Sequence, residues 1–369
     1  MTGTPVAASG SVAGSATPPT MRAAVWTGPD QIELQQLLLP EVPDGWSLVR
    51  SEYTGLCGTD FSILHGSHPR AAAPLVMGHE ITGVVEVAAA SGPPVGTRVA
   101  VEPLISCGRC EPCRRGATHV CRNLGLYGID LPGSLAEYVA LPAESLVPIG
   151  SKVPVLQAAL AEPLAVAVHA VSQAGMTGGE TVLIFGAGPI GVLTALVARS
   201  AGATRILVSE PSAERSAVAE SLGFQTVPAG ADPVRVIREA TDGEGADLVF
   251  DTAAHPAVAA QLSAAAGVQS TIVLVGIYKA PAALDLQAIA FAEQHLVGVR
   301  VYTRADVERA VALIESDELD LGRVPVRVFP LEDTAAAFEL ATAASGVLKV
   351  LVSPSGEVTT QAAAAGGTH

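Results

Sequence analysis

The chain has 369 residues, of which 49 % are hydrophobic and 15 % are charged, a balance far from that of disordered proteins. Its 21 Lys and Arg residues against 36 Asp and Glu residues give a formal net charge of −15, which disfavours nucleic acid and anionic membranes as partners. The length suggests about two domains, and a small molecule is the expected ligand.

The two ends of the chain differ in composition from the rest. Residues 1–20 carry no charged side chain, and residues 354–369 are rich in Ala, Gly and Thr. We expect both to be disordered tails and neither to be a signal peptide. Because no segment approaches the roughly 18 consecutive apolar residues of a membrane helix, a soluble, cytoplasmic protein is expected.

From residue 22 to about residue 150, short apolar runs alternate with Pro and Gly, which predicts a domain of strands and loops. This part contains Cys57 in the run GLCGTD and His79-Glu80 in the run MGHE, and Glu162 follows in AEPLAV. One thiolate, one imidazole and one or two carboxylates could hold zinc and leave a position open for water or a substrate oxygen. Taken singly, Cys57 and His79 could equally be packed core groups, and Glu162 could be a helix cap.

The other four cysteines lie together in one loop, with a spacing of two, two and seven residues between them: Cys107, Cys110, Cys113 and Cys121. Four thiolates at this spacing predict a closed tetrahedral zinc site with a structural role. Disulfides would need an oxidising compartment, and an iron–sulfur cluster is the remaining alternative.

After about residue 154, apolar strands alternate with Ala-rich helices. Strands are predicted at 181–185, 205–210, 246–251 and 270–278, and a helix at 189–201. Continuous apolar strands separated by helices indicate an α/β fold, with a parallel sheet covered on both faces.

A GxGxxG run, Gly186-Ala187-Gly188-Pro189-Ile190-Gly191, comes directly after the first of these strands and opens the helix. Gly186 permits the tight turn, Gly188 lets the backbone approach a pyrophosphate, and Gly191 permits close packing of helix on strand. The run and its context predict a dinucleotide site; the alternative is a tight turn that binds nothing.

Glu210 ends the next strand, 19 residues after Gly191. A carboxylate at about this distance binds the adenosine ribose hydroxyls and repels a 2′-phosphate, which favours NAD over NADP. Arg215, Gly276 and Ile277 are further candidates for cofactor contacts, although Arg215 could also be an ordinary exposed helical residue.

Taken together, the motifs closely resemble those of the zinc-containing medium-chain alcohol dehydrogenase superfamily, and most of all its sorbitol, butanediol and threonine dehydrogenase branch. The resemblance runs from about residue 21 to residue 353. It implies a GroES-like catalytic domain at 21–160, a Rossmann domain at 161–298, and a return segment at 299–353 that completes the first domain. It also implies an active site in the cleft between the domains, two zinc ions per chain and NAD.

The resemblance further implies roles for single residues. Cys57 and His79 would ligate the catalytic zinc, with Glu80 and Glu162 as ligands or water-holding partners. Thr59 would take the proton of the alcohol, and Asp60 would orient His79, unless Asp60 is an ordinary turn carboxylate. The implied reaction is oxidation of a secondary alcohol (a polyol, vicinal diol or cyclitol) to a ketone.

One position departs from the family pattern. Members commonly have a His five residues after the ligand Cys, whereas this chain has Ser62. Proton release would then depend on water with Ser62, or on His65 or His68. Residues 64–70 are a hypothetical polar rim for the substrate, in which Arg70 could bind an acid or phosphate group or simply face solvent.

Other classes stay open. The chain could be a zinc-free reductase-like relative or a non-catalytic relative. It could also be a binding module built on the four-cysteine lobe, the loop at residues 107–121. For an enzyme of the resembled family, a homodimer or homotetramer is expected.

Overall fold

The computed structural model describes residues 19–343 and 346–356. Most of the two predicted tails, residues 1–18 and 357–369, therefore lies outside the described residues. Thr20, the last residue of the predicted N-terminal tail, already pairs with Leu38 as the first residue of a strand. Its pairing places the start of the folded part within the predicted tail.

The first part of the described chain is mostly strand. Its helices and strands are β1 Thr20–Gly28, β2 Gln31–Leu38, β3 Trp46–Gly55, α1 Gly58–Leu64, β4 Leu75–Val76, β5 Glu80–Val87, β6 Arg98–Val101, β7 Leu104–Ile105, α2 Glu111–Arg114, β8 Gly125–Leu126, β9 Tyr138–Pro142 and β10 Leu146–Pro148. Two short 3-10 helices lie at Thr118–Val120 and Ala143–Ser145.

Strands and helices alternate in the second part. They are α3 Val155–Ala158, α4 Ala161–Ala174, β11 Thr181–Phe185, α5 Pro189–Ser200, β12 Arg205–Ser209, α6 Ala213–Ser221, β13 Gln225–Thr226, α7 Pro233–Ala240, β14 Ala246–Asp251, α8 Pro256–Ala259, α9 Leu262–Ala265, β15 Ala266–Leu274, α10 Leu286–Phe291, β16 His295–Gly298, α11 Arg304–Glu315, β17 Val326–Pro330, α12 Thr334–Thr342 and β18 Lys349–Ser353. Two more 3-10 helices lie at Leu321–Arg323 and Leu331–Asp333.

A seven-stranded sheet joins the two ends of the described chain. Its order is β10-β6-β5-β3-β18-β17, with β9 also paired to β3. β18 runs antiparallel to β3, with Leu351 opposite Gly55 and Val352 opposite Thr54. The C-terminal segment is therefore built into the sheet of the N-terminal part.

A six-stranded parallel sheet forms the middle of the chain, in the order β13-β12-β11-β14-β15-β16. The order reverses between β11 and β14, so the carboxyl ends of these two strands border a crevice where open α/β sheets bind ligands. This architecture is the Rossmann fold predicted from the sequence. β15 begins four residues earlier and ends four residues earlier than predicted, which leaves Gly276 and Ile277 in the loop that follows it.

Helices cover both faces of this sheet. Along β11, Val182 and Ile184 pack into the core formed with α4, α5 and α11, whereas Leu183 and Phe185 pack into the core on the opposite face. A strand buried on both faces has to be apolar at every position, which explains the continuous run TVLIF. Among the described residues, no helix is both long and apolar enough to cross a membrane.

Candidate active site

The end of β3 and the start of α1 form one side of the candidate metal site. Cys57 is the N-cap residue of α1, and its backbone N–H donates to Asp60 Oδ2 at 2.9 Å. Asp60 is fully buried, and its carboxylate fixes the turn that presents the Cys57 sulfur. Thr59 Oγ1 lies 4.0 Å from Cys57 Sγ, so the Thr59 hydroxyl is close to the sulfur.

Sheet register brings the second group of predicted ligands to the same place. Glu80 is the first residue of β5 and lies opposite Gly55 of β3. Ligand atoms of Cys57, His79 and Glu80 all lie within 4.8 Å of one another. A thiolate, an imidazole and a carboxylate so arranged form a donor set suited to zinc, and three protein ligands leave a fourth position for a substrate oxygen. The residues therefore fit the implied metal.

His79 faces Asp60, the residue predicted to orient it. Its Nδ1 lies 3.5 Å from Asp60 Oδ1, and both side chains are buried. Burial by itself lowers the pKa of His79, but the facing Asp60 carboxylate and the Cys57 sulfur raise this pKa well above its usual value. The Asp60 carboxylate thus accepts a hydrogen bond from the backbone of one predicted ligand, Cys57, and faces the ring of the other, His79.

Glu162, in the first turn of α4, is not part of this close group of ligand atoms among the described residues. Its Oε1 accepts a hydrogen bond from the Tyr302 hydroxyl at 2.6 Å. Burial, reinforced by the Glu80 carboxylate, raises the pKa of Glu162 to about 7. The geometry separates the two carboxylates: Glu80 lies beside Cys57 and His79, whereas Glu162 is bound to Tyr302.

Lys349 of β18 is a member of the site for which the sequence offered no motif. Its side chain is 3 % exposed, and its Nζ donates to Glu80 Oε1 at 2.5 Å and to the Leu56 carbonyl at 2.9 Å. Burial lowers the pKa of Lys349, but the Glu80 carboxylate, the Cys57 sulfur and the Glu162 carboxylate together raise it above its usual value. Lys349 therefore supplies the counter-charge of Glu80. A charged residue inside an apolar strand was the one hint in the sequence.

Helix α1 and the loop after it contain the three residues that could replace the relay His of the resembled family. Ser62 Oγ lies 3.5 Å from the Gly58 carbonyl on its own helix, and exposed His65 pairs with Asp30 at 2.6 Å. His68 is half-buried, and its Nδ1 accepts the backbone N–H of Ala71 at 3.2 Å. An acceptor Nδ1 leaves Nε2 as the protonated nitrogen of a neutral His68.

Arg70 has a structural role in the predicted substrate rim. Its Nη1 lies 3.2 Å from Asp130 Oδ2 and contacts the Leu124 carbonyl. These contacts tie the loop to the segment that follows the cysteine lobe. They engage Nη1 of a side chain that is 41 % exposed, which favours the alternative that Arg70 is a surface residue.

The four remaining cysteines converge as predicted, and their sulfur atoms all lie within 4.8 Å of one another. All five cysteines are free thiols, and Cys110 Sγ lies 3.4 Å from Cys113 Sγ, too far for a disulfide. The backbone N–H groups of Cys107 and Asn123 each donate to Cys121 Sγ at 3.3 Å. Backbone N–H groups of Arg109 and Cys110 also lower the pKa of Cys107 to about 6. Such donors stabilise thiolates, as a closed tetrahedral metal site requires.

The glycine run forms the turn between β11 and α5 at the sheet crevice. Gly186 has φ +104°, and a Cβ there would lie 2.7 Å from Thr252 Oγ1; a Cβ on Gly191 would lie 2.0 Å from the Gly186 carbonyl oxygen. Gly188 is the N-cap residue of α5, and a Cβ there would meet nothing within 4 Å. Two glycines are thus required by packing, while the third faces open space at a helix N-terminus, with Pro189 and Ile190 in its first turn.

Glu210, directly after β12, faces this turn. Its Oε2 accepts the Ala187 N–H at 2.8 Å, and its Oε1 accepts the Ser212 N–H at 3.0 Å. Arg215 is in the first turn of α6, where its backbone N–H donates to Ser212 Oγ. The structure therefore brings Glu210 to the glycine run, whereas it shows no ligand-facing role for Arg215.

The loop after β15 borders the same crevice. A Cβ on Gly276 would lie 2.8 Å from the Ala254 Cβ, and Ile277 is 85 % exposed. The next residue, Tyr278, donates from its hydroxyl to Asp251 Oδ2 at 2.5 Å. The buried Asp251 carboxylate at the end of β14 thereby anchors the loop, and neither Asp251 nor Tyr278 belonged to a motif recognised in the sequence.

Two family models match the chain. The model described as alcohol dehydrogenase GroES-like domain matches residues 43–151, and the model described as zinc-binding dehydrogenase matches residues 189–316.

Similar proteins span most of the chain. A 2-dehydro-3-deoxy-L-galactonate 5-dehydrogenase from Pseudoalteromonas atlantica is 39 % identical over 290 residues, which cover 78 % of this chain and 85 % of the relative. An L-threonine 3-dehydrogenase from Bacillus subtilis is 33 % identical, covering 83 % of this chain and 91 % of the relative. Among solved structures, a zinc-binding dehydrogenase from Sinorhizobium meliloti 1021 bound to NADP superposes with a TM-score of 0.85 at 32 % identity, covering 91 % of this chain and all of the other.

Proposed function

Because this chain belongs to the zinc-type medium-chain alcohol dehydrogenase superfamily, we propose that it oxidises a secondary alcohol to a ketone with hydride transfer to NAD. One observation supports this proposal most directly: the ligand atoms of Cys57, His79 and Glu80 lie within 4.8 Å of one another. The same protein also has a glycine turn of the kind that binds dinucleotides. When bound, zinc would supply a Lewis acid that lowers the pKa of the alcohol, and NAD would supply the hydride acceptor.

The chain's own residues would hold these groups and move the proton. Cys57, His79 and Glu80 would ligate the catalytic zinc, and Asp60 would keep the His79 ring in place. Thr59 Oγ1 would relay the proton of the alcohol, accepting it while its own hydroxyl proton passes on toward solvent. Glu162, held by Tyr302, would bind a water molecule beside the metal instead of ligating it. The four-cysteine lobe would hold a second zinc with a structural role.

The choice of NAD over NADP rests on Glu210. Its carboxylate lies at the glycine turn, where the backbone N–H groups of residues 188–191 would receive the pyrophosphate. A 2′-phosphate there would meet a like charge. One similar structure contains NADP, so both cofactors have to be compared in the assay.

For the substrate we propose a polyol, a vicinal diol, a cyclitol or a related secondary alcohol. The two named relatives act on a deoxy sugar acid and on threonine, which both carry a secondary hydroxyl beside other polar groups. The rim at residues 64–70 offers the free Nε2–H of neutral His68 to such groups, while Arg70 is engaged with Asp130.

We also propose the domain division given by the sequence, with a catalytic domain at 21–160 completed by 299–353 and a cofactor domain at 161–298. The pairing of β18 with β3 supports the return of the last segment to the catalytic domain, whereas α11 of that segment packs against α4 in the core of the parallel sheet. A homodimer would form through β16, the exposed edge strand of the cofactor sheet, near which Leu296 and Phe291 are 40 % and 83 % exposed.

The test is Cys57→Ser. We expect the zinc content to fall from about two ions per chain to about one, with loss of NAD reduction and an unchanged circular dichroism spectrum. A panel of polyols, cyclitols, diols, sugar acids and threonine, monitored by NADH absorbance, would identify the substrate. Cys110→Ser is the matched control: it should remove the lobe zinc and destabilise the fold. Turnover retained in Cys57→Ser would contradict the mechanism.

A further inference from the structure

The first turn of α11 and the residues just before it form two hydrogen bonds with helix α4. Tyr302 donates to Glu162 Oε1 at 2.6 Å, and four residues later Asp306 Oδ2 accepts from His169 Nδ1 at 2.8 Å. Glu162 and His169 are seven residues apart, which is about two turns, so they lie on the same face of α4. Tyr302 is fully buried and His169 is 4 % exposed, so both contacts are shielded from water.

The Asp306 carboxylate is itself held firmly. The same Oδ2 atom accepts from the Thr303 N–H at 2.8 Å and from Thr303 Oγ1 at 2.7 Å, in the capping box that starts α11. One carboxylate therefore fixes both the beginning of α11 and the His169 ring of α4.

The backbone immediately before this segment is strained. Val301 has φ +44°, a left-handed conformation that is unfavourable for a β-branched residue. The contacts of the following residues have to offset this cost. Such strain, directly before a residue that contacts a carboxylate of the candidate site, is more typical of a functional position than of an ordinary turn.

His169 also contacts the four-cysteine lobe. The ring of His119, in the 3-10 helix just before Cys121, packs edge-on against the ring of His169 with centroids 5.2 Å apart. A continuous series of contacts thus runs from the lobe through His119 and His169 to Asp306, and from there along the chain to Tyr302 and Glu162.

We propose that His169 is a positioning residue: held between His119 and Asp306, it fixes the Tyr302–Glu162 hydrogen bond and so couples the four-cysteine lobe to the candidate active site. The proposal rests on the proposed function, because it concerns the orientation of Glu162 at the catalytic metal. Hydrogen-bonding partners behind metal sites typically contribute 10- to 100-fold to activity or metal affinity.

Two variants test the coupling. His169→Phe keeps a ring against His119 but removes the hydrogen bond to Asp306, and Tyr302→Phe removes the hydrogen bond to Glu162 directly. Each protein is loaded with Co²⁺, and the Cys57-dependent visible absorption is obtained as the difference from the same protein carrying Cys57→Ser. We expect both variants to shift this absorption in the same direction and to lower kcat about tenfold, with KM for NAD nearly unchanged.

The double variant should be no worse than Tyr302→Phe alone, because both changes act on the same hydrogen bond. His169→Asn, which can still donate to Asp306, should recover much of the loss, and His119→Ala should give a smaller shift in the same direction. Val171→Ala is the matched control: it removes a buried side chain from the same helix without touching these contacts, so it should lower Tm only.

Two results overturn the proposal: a His169→Phe protein that behaves like Val171→Ala, or effects of His169→Phe and Tyr302→Phe that multiply. If His169→Phe does not fold, Asp306→Asn weakens the same contact from the other side and is judged by the same criteria. The cobalt measurement needs neither alcohol nor NAD. A wild-type protein without Cys57-dependent absorption contradicts the proposed function itself, whereas an unchanged absorption in the variant contradicts only the coupling.

Discussion

Lys349 Nζ lies 2.5 Å from Glu80 Oε1, although 269 residues separate them in the chain. The contact joins the last described strand to the residue that begins β5, and it places a buried positive charge against a carboxylate of the candidate metal site. Breaking a buried ion pair from one side leaves the other charge without a partner, and that usually costs more than the pair itself contributes.

In the chelator-treated protein, where no metal can replace Lys349 as partner of Glu80, Lys349→Met should therefore destabilise the fold strongly, by about 3–5 kcal/mol in urea unfolding. Lys349→Arg keeps the charge and should lose less. Arg327→Met removes an exposed cation from the neighbouring strand β17 and serves as the control, with an expected change within about 0.5 kcal/mol. Equal free energies of unfolding for Lys349→Met and Arg327→Met would mean that the folded protein does not need Lys349 as the counter-charge of the Glu80 carboxylate.

Gly55→Ala should empty the candidate catalytic site of metal. The new Cβ would lie 2.0 Å from Glu80 Oε2 and 2.9 Å from Lys349 Cε, and both side chains are buried and cannot move aside freely. Zinc content measured by mass spectrometry should fall from about two ions per chain to about one. Gly58→Ala, where a Cβ meets nothing within 4 Å, should keep both ions. Full zinc occupancy in Gly55→Ala would argue against Glu80 as a ligand.

Glu162→Gln should change the pH dependence of stability in the chelator-treated protein. Burial and the Glu80 carboxylate raise the pKa of Glu162 to about 7 in the folded state. The group therefore favours the folded state below its unfolded pKa of about 4.5, and this contribution is lost as the pH rises through about 7.

Urea unfolding at pH 5 and at pH 8 measures this effect. Glu162→Gln has no charge to bury, so it should be more stable than the wild type at pH 8 and similar to it at pH 5. Glu41→Gln, a change at an exposed loop residue, should follow the wild type at both pH values. A constant difference between Glu162→Gln and the wild type across this range would refute the raised pKa.

Glu210→Ala should relax the choice of cofactor. Removing the carboxylate at the glycine turn removes the repulsion of a 2′-phosphate, and a juxtaposition of like charges costs several kcal/mol. The ratio of kcat/KM for NADP to that for NAD should rise at least about tenfold. Glu214→Ala changes an exposed carboxylate on the adjoining helix and should leave the ratio unchanged. A wild type that prefers NADP would reverse the proposed assignment.

Leu296→Lys should dissociate the proposed dimer. The side chain is exposed on β16, an edge strand whose backbone is free to pair with a second copy. Light scattering after size-exclusion chromatography should show about half the wild-type mass. Leu38→Lys, at an exposed leucine on β2 at the edge of another sheet, is the control and should keep the wild-type mass. A monomeric wild type would contradict the dimer.

Local sequence was sufficient where a motif specifies its own geometry. The glycine run follows a strand and opens a helix, so its turn and its place at the sheet crevice could be predicted from spacing alone. The cysteine lobe likewise closes within fifteen residues, and its sulfur atoms converge without help from distant segments.

The tertiary structure decided the relations that no spacing rule covers. From the sequence, Glu80 and Glu162 were equivalent candidates for the carboxylate ligand. Strand register places Glu80 beside Cys57 and His79. Glu162 instead accepts a hydrogen bond from Tyr302. Arg70 was a possible ligand group until its pairing with Asp130 gave it a structural role. Motifs depend on short-range backbone geometry, but the charge and hydrogen-bond partners of a buried group depend on which elements pack against it. Lys349 is 269 residues from Glu80 and Tyr302 is 140 residues from Glu162, so both became recognisable as partners only in the folded chain.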